Sequence, residues 1–174
     1  ISSFSEFIRK KTYMLANPSE KKTPKILSSQ NLKIPKAPKE IISQKNVKYF
    51  IKEVDKLRDN DNRLLESKNY EVFFAGAKEI PNLLQEIGRL REITFRDVGE
   101  GTNKEIDLDK FDKYYHHLIL WDREAKRLVG SYRMGLGKEI YKKHGIEGFY
   151  IHTLFRFEPE LYSMMENTIE MGRA

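Results

Sequence analysis

The chain has 174 residues, room for one domain plus an extension, and its 39% hydrophobic content, with 10 Phe and 9 Tyr, can fill a core. The absence of cysteine excludes disulfides and thiolate metal sites and fits a reducing compartment; no apolar run nears the ~20 residues that span a bilayer, and the first residues lack the apolar centre of a signal peptide. The net charge of +6 is lopsided: residues 1–48 hold 11 Lys and Arg against 3 Glu, a balance of +8, and the remainder stands at −2.

In chain order, residues 1–16 place Phe4, Phe7, Ile8, Met14 and Leu15 on one helical stripe and look like the end of an upstream domain. Residues 17–46 hold four of the six prolines, many lysines and few large apolar side chains, which is linker composition. Such a basic stretch suits an anionic membrane face, nucleic acid or an acidic protein; the plain alternative is a solvated linker. Val47, Phe50, Ile51, Val54 and Leu57 predict an amphipathic helix that Asp59 to Asn62 end or interrupt. The compact domain is expected to begin near Tyr70, with residues 17–69 as basic linker and helix. Residues 70–75 read as a strand, and Pro81 opens a helix that the glycines at 99 and 101 end. After a polar loop, 117–122 and 127–134 read as a hairpin. Further expectations are a short helix at 138–144, a strand over 149–155, a helix over 158–167 and a strand over 168–173.

Charged residues cluster at the ends of these elements, a pattern that suggests a site. Arg91 lies at the edge of an apolar stripe, where it can reach a carboxylate with a bidentate fork or be an ordinary surface arginine. Asp109 and Asp112, with Glu105 and Asp107, form an acidic loop; a carboxylate pair there can bind an amine or place a base, and Asp109 can equally cap a helix. The loop does not match an EF-hand, and the adjacent His116 and His117 point to opposite sides of a strand, so no metal site is expected. His152 is expected in core packing. Glu170 and Arg173 sit in an apolar strand near the end of the sequence; a direct pair between them needs a bulge at Gly172. A glutamate there can be a general base or a structural partner of Arg91 or Arg133. The GLG of 135–137 and the GEG of 99–101 are too short for phosphate loops, and the basic tail lacks interleaved aromatics, so no nucleic-acid partner is expected.

Taken in order, LREITFR (90–96), DLDKFD (107–112), HLILWD (117–122), VGSYR (129–133) and IEMGR (169–173) resemble one branch of the GNAT-like acyltransferases. That branch holds the ornithine-lipid and glycine-lipid N-acyltransferases, among them hemolysin-like proteins; acyl-homoserine-lactone synthases look like more distant relatives. The resemblance covers roughly residues 70–174. It implies an α/β (α+β) fold: the N-terminal half of a mixed, mostly antiparallel GNAT-like sheet flanked by helices. Residues 1–16 look like the end of a lysophospholipid-acyltransferase-like domain fused upstream.

The resemblance also implies the chemistry. Family members move a fatty, often 3-hydroxylated, acyl chain from the phosphopantetheine arm of acyl carrier protein, or from coenzyme A, to the amine of an amino acid; the donor is a substrate and no bound cofactor is implied. Carried over to this sequence, Arg91, Phe95, Asp109, Asp112, Arg133, Glu170 and Arg173 match the family pattern. Glu170 is then expected as base, directly or through water, with Asp109 and Asp112 near the amine substrate. Arg133 and Arg173 hold the site together or meet the carrier's acidic surface, and Arg91 pairs with one of the carboxylates. The family's donor-phosphate turn would follow Ala174, so this stretch alone is expected to be inactive. The implied location is cytoplasmic, peripheral at the inner face of the membrane. The competing classes are a non-enzymatic membrane or protein adaptor, which needs the carboxylates dispersed at the surface, and an acyl-homoserine-lactone-type signal synthase.

Overall fold

A computed structural model describes residues 37–173. Five strands form one sheet in the order β1 (Arg63–Ser67), β2 (Tyr70–Gly76), β3 (His116–Asp122), β4 (Arg127–Leu136) and β5 (Ile169–Gly172). All four pairings are antiparallel. Helices α1 (Val47–Asp59) and α2 (Pro81–Asp97) precede β1 and follow β2; the short helices α3 (Gly137–His144) and α4 (Tyr162–Met165) lie between β4 and β5 in the chain. This open antiparallel sheet with flanking helices is the GNAT-like α/β fold expected from the sequence.

Helix α1 starts where the Asn46 side chain accepts a hydrogen bond from the Lys48 amide, and its last turn carries Lys56 and Arg58, which suit the negative end of the helix dipole. Its apolar stripe is not a linker surface. Phe50, Val54 and Leu57 are fully buried against Phe73 and Ala75 of β2, Ile119 and Trp121 of β3, and Leu83 and Ile87 of α2. Burying side chains of this size contributes about 1.5–3 kcal/mol each, so residues 47–59 are integral to the folded unit. Helix α2 begins with Pro81 at its first position and no cap of its own. Glu53 of α1 supplies one: its carboxylate accepts from the amides of Asn82 and Leu83, both at 2.8 Å. A negative side chain from one helix thus closes the positive end of the next.

Three segments differ from the sequence expectation. Residues 63–67 form an edge strand, not a continuation of helix or linker; every residue in β1 is exposed, so no buried face imposed a period-2 signal. Residues 149–155, expected as a strand, form 3-10 turns instead. Their amides serve local turns and one side chain rather than a ladder: those of His152, Thr153, Leu154 and Phe155 donate to carbonyls three or four residues back, and those of Tyr150 and Ile151 donate to Glu170. The expected helix over 158–167 is shortened to a 3-10 turn (Pro159–Leu161) followed by the four residues of α4.

Glu71 of β2 is fully buried and accepts from Arg58 at 2.5 and 3.0 Å and from Arg63 at 3.0 Å. The bonds from Arg58, aided by Arg63, outweigh burial and hold this carboxyl below its ordinary value. A depressed carboxyl stabilises the fold above its unfolded value, about 4.5, and that contribution is lost as pH falls through the lowered folded value. Glu71→Gln is expected to lower the urea midpoint near pH 7 and to flatten its fall between about pH 5 and about pH 3, compared by urea titrations of both proteins at the two ends of that range.

Candidate active site

The site is built on a close approach between α2 and the acidic loop. A Cβ on Gly88 would lie 2.7–2.9 Å from side-chain atoms of Ile106 and Leu108, so only glycine lets the loop rest there. The Gly88 carbonyl accepts from the Asp107 amide at 3.1 Å. Asp109 then makes the turn: its Oδ1 accepts from the amides of Phe111 (2.8 Å) and Asp112 (3.2 Å), capping the 3-10 turn Phe111–Lys113.

Three arginines meet the three aspartates of this loop. Arg91 of α2 donates to Asp112 through two nitrogens, at 3.2 and 3.1 Å, and to the Asp107 carbonyl. Arg133 of β4 lies 2.8 Å from both oxygens of Asp109 and 3.5 Å from Asp112. Arg173, just past β5, donates to both oxygens of Asp107 and at 3.0 Å to Asp109. The Arg133 guanidinium also lies over the rings of Phe111, Tyr115 and Tyr150, 5.0–5.6 Å from their centroids. Burial would raise the Asp109 carboxyl, but the bond and charge of Arg133 outweigh it and leave Asp109 below its usual range.

His117 of β3 is fully buried behind this network. Its Nε2–H donates to the Asp112 carbonyl at 3.1 Å, which fixes the tautomer, while Nδ1 has no partner. Burial, reinforced by the nearby arginine charges, pushes its pKa down, so the ring is neutral near pH 7. His116, on the other side of the strand, stacks on Phe74, and the part-exposed His152 stacks on Phe157 rather than entering a core.

In front of the network opens a groove of about 590 Å³. Glu170, Arg133, Arg173, Phe95, Tyr115 and Tyr150 supply its polar and aromatic lining, Leu154, Phe155 and Met171 an apolar wall, and Glu100 a second carboxylate at the rim. Glu170 of β5 is half-buried there. Its Oε2 accepts from the Tyr115 hydroxyl at 2.5 Å and the Tyr150 amide at 3.1 Å; its Oε1 accepts from the Ile151 amide at 2.8 Å. A carboxylate offers about four lone-pair directions, so one, on Oε1, is without a partner among the described residues.

The structure thus brings all seven candidate residues to one region but divides them. Glu170, Phe95, Arg133 and Arg173 line the groove. Arg91 and Asp112, 6% and 1% exposed, lie behind it with their bonding capacity largely spent on each other, so they support the site and do not touch an acceptor. Arg133, 2% exposed, is held by Asp109 and cannot offer its charge to a carrier's surface. Glu170 and Arg173 do not pair: the glutamate goes to Tyr115 and the 150–151 backbone, the arginine to the acidic loop. Asp109 serves as both cap and ion-pair partner. Sequence reasoning missed Tyr115 and Tyr150 and gave Asp107 no role of its own. The acidic-loop reading rested on Asp109 and Asp112, with Asp107 only a neighbour in the loop, and nothing distinguished Tyr115 from Tyr114.

Residues 90–174, the segment holding the network and the groove, match the family described as an acetyltransferase (GNAT) domain. The chain is also 36% identical over 121 residues to a glycine N(alpha)-acyltransferase of Phocaeicola vulgatus, covering 67% of this chain and 37% of that protein. It is 33% identical over 121 residues to the glycine N(alpha)-acyltransferase of Bacteroides thetaiotaomicron, covering 67% of this chain and 36% of that protein. The chain therefore spans little more than a third of the length of these relatives. No solved structure matches it.

Removing one member of a buried ion network leaves its partners charged and unpaired, at a cost of about 3–5 kcal/mol. Arg91→Met is expected to destabilise the protein by that order, and Arg91→Lys to recover only part of it because a point charge cannot replace the fork. Equilibrium urea unfolding of the two variants checks this.

Proposed function

We propose that the protein is an N-acyltransferase that moves a fatty acyl chain, 3-hydroxylated or plain, from acyl carrier protein to the amine of an amino acid in aminolipid biosynthesis. Coenzyme A is the other possible carrier. The names of the two relatives make glycine the first acceptor to test and ornithine the second. The observation that carries this reading is Glu170: a carboxylate with bonding capacity to spare, on the wall of a groove lined by both polar and apolar side chains.

The chemistry follows from that placement. The acceptor enters as an ammonium ion and must lose a proton before its nitrogen can attack the thioester carbonyl. Glu170 accepts that proton through the free position on Oε1, directly or through one water. The C–N bond forms, the C–S bond breaks, and the carrier's thiolate leaves and takes a proton. The apolar wall of Leu154, Phe155 and Met171 suits the start of the acyl chain. Arg173, 21% exposed at its side chain, reaches the groove and suits the acceptor's carboxylate. The basic stretch of residues 1–48 suits the anionic, cytoplasmic face of the membrane that receives the product.

An adaptor without catalysis requires the carboxylates to be scattered over the surface. A glutamate set into a groove beside a charge network is a different arrangement. Separation from a signal synthase rests on the product. The complete gene product, given acyl carrier protein charged with 3-hydroxyacyl chains, is expected to yield N-acylglycine or another N-acyl amino acid by mass spectrometry. Glu170→Gln is expected to lower the rate by about 10²–10⁴-fold while remaining folded. Full turnover by that variant removes Glu170 as the base, and a lactone product moves the protein to the signal-synthase class.

A further inference from the structure

Tyr115 precedes β3 and is 2% exposed, yet its hydroxyl reaches Glu170 on β5, two strands away. The path exists because of Gly135. In the β4–β5 register Gly135 stands opposite Glu170. A Cβ on Gly135 would lie 2.4 Å from Cε1 and 2.9 Å from Cζ of the Tyr115 ring, and 2.6 Å from Ile140. The ring therefore crosses β4 through the space that a missing side chain leaves. Beyond it, the Tyr115 hydroxyl donates to Glu170 Oε2 at 2.5 Å and accepts from the Tyr150 amide at 2.9 Å. Burial, then the bond to Glu170, push this hydroxyl far above its ordinary value of about 10, so it stays protonated and remains a donor.

We propose that Tyr115, seated over Gly135, is a positioning residue of the acyl transfer: it fixes Glu170 Oε2 so that the free lone pair of Oε1 faces the acceptor amine. This inference rests on Glu170 being the group that takes the proton. The Arg133 guanidinium lies over the ring, 5.2 Å from its centroid, which ties the orientation of Glu170 to the charge network. Tyr115 touches no reacting atom. Its effect is on the geometry of the step, where a misplacement of about 1 Å can cost on the order of 100-fold.

Tyr115→Phe keeps the ring and removes the one hydroxyl. In the complete gene product it is expected to lower kcat by about 10- to 100-fold while leaving KM for the amino acid within about twofold. Gly135→Ala keeps the hydroxyl but displaces the ring, and is expected to give the same split. Adding Glu170→Gln to Tyr115→Phe should cost no more than Glu170→Gln alone, since both act on one group. If Glu170→Gln is inactive while Tyr115→Phe turns over like the parent, the positioning role falls and the base assignment stands. If Glu170→Gln keeps full turnover, the base assignment falls first. A rise in KM with unchanged kcat in both the Tyr115 and Gly135 variants places Tyr115 in substrate binding and overturns the proposal, and additive losses in the double variant do the same.

Discussion

Three arginines and three aspartates, drawn from four parts of the chain, neutralise one another behind the groove, and the rest of the site depends on that balance. Ions in so buried a place lose several kcal/mol of hydration each, which their attraction offsets only when geometry is good and the remaining polar capacity is met. Here it largely is: Asp109 and Asp112 also accept backbone amides, and Arg91 also donates to a backbone carbonyl. Because the pairs join different elements, the full network closes only when α2, the acidic loop, β4 and β5 are all in place. The network acts as a register pin that makes the position of the last strand a consequence of the position of the first long helix.

That pin explains why the groove has two unlike sides. Behind it every strong charge is spoken for, and His117, neutral and buried, closes the back wall without adding charge. In front, Glu170 belongs to no ion pair among the described residues. It is held by one hydroxyl and two amides, and these neutral donors orient a carboxylate without neutralising it. The proposed transfer to an amine needs this separation: had Glu170 paired with Arg133 or Arg173, its negative charge would already be matched. The aromatic rings around Arg133 pack against a guanidinium already bonded to Asp109.

Much of this was legible in the sequence, and the parts that were not share a cause. The stripes of Phe50, Val54 and Leu57 and of Leu83 and Ile87 announced α1 and α2, because a buried helical face writes its period into the chain. The hairpin of β3 and β4 was equally clear from its apolar runs and turn. Strand β1 wrote nothing, being exposed along its length, and 149–155 wrote a false strand, because its apolar residues line a groove and its amides serve Glu170. The candidate charges were visible as types, and their assembly in one region followed the family pattern. Their partners were not visible: a direct pair of Glu170 with Arg173 needed a bulge at Gly172, Arg91 and Arg133 were the alternatives for the glutamate, and three-dimensional packing gave it Tyr115 and two amides instead. Tyr115 was hidden for the same reason, since its role depends on an absent side chain at Gly135, across a strand.

The claim at the centre is that the link between acidic loop and last strand is a cooperative ion contact rather than two independent surface charges. A double-mutant cycle of Asp107→Asn and Arg173→Gln, followed by urea unfolding of the complete gene product, tests it most directly. The account expects the two losses to be strongly non-additive, with a coupling of about 0.5–3 kcal/mol. Costs that simply add would show that the contact does not hold β5 in place, and the groove in front of it would need another explanation.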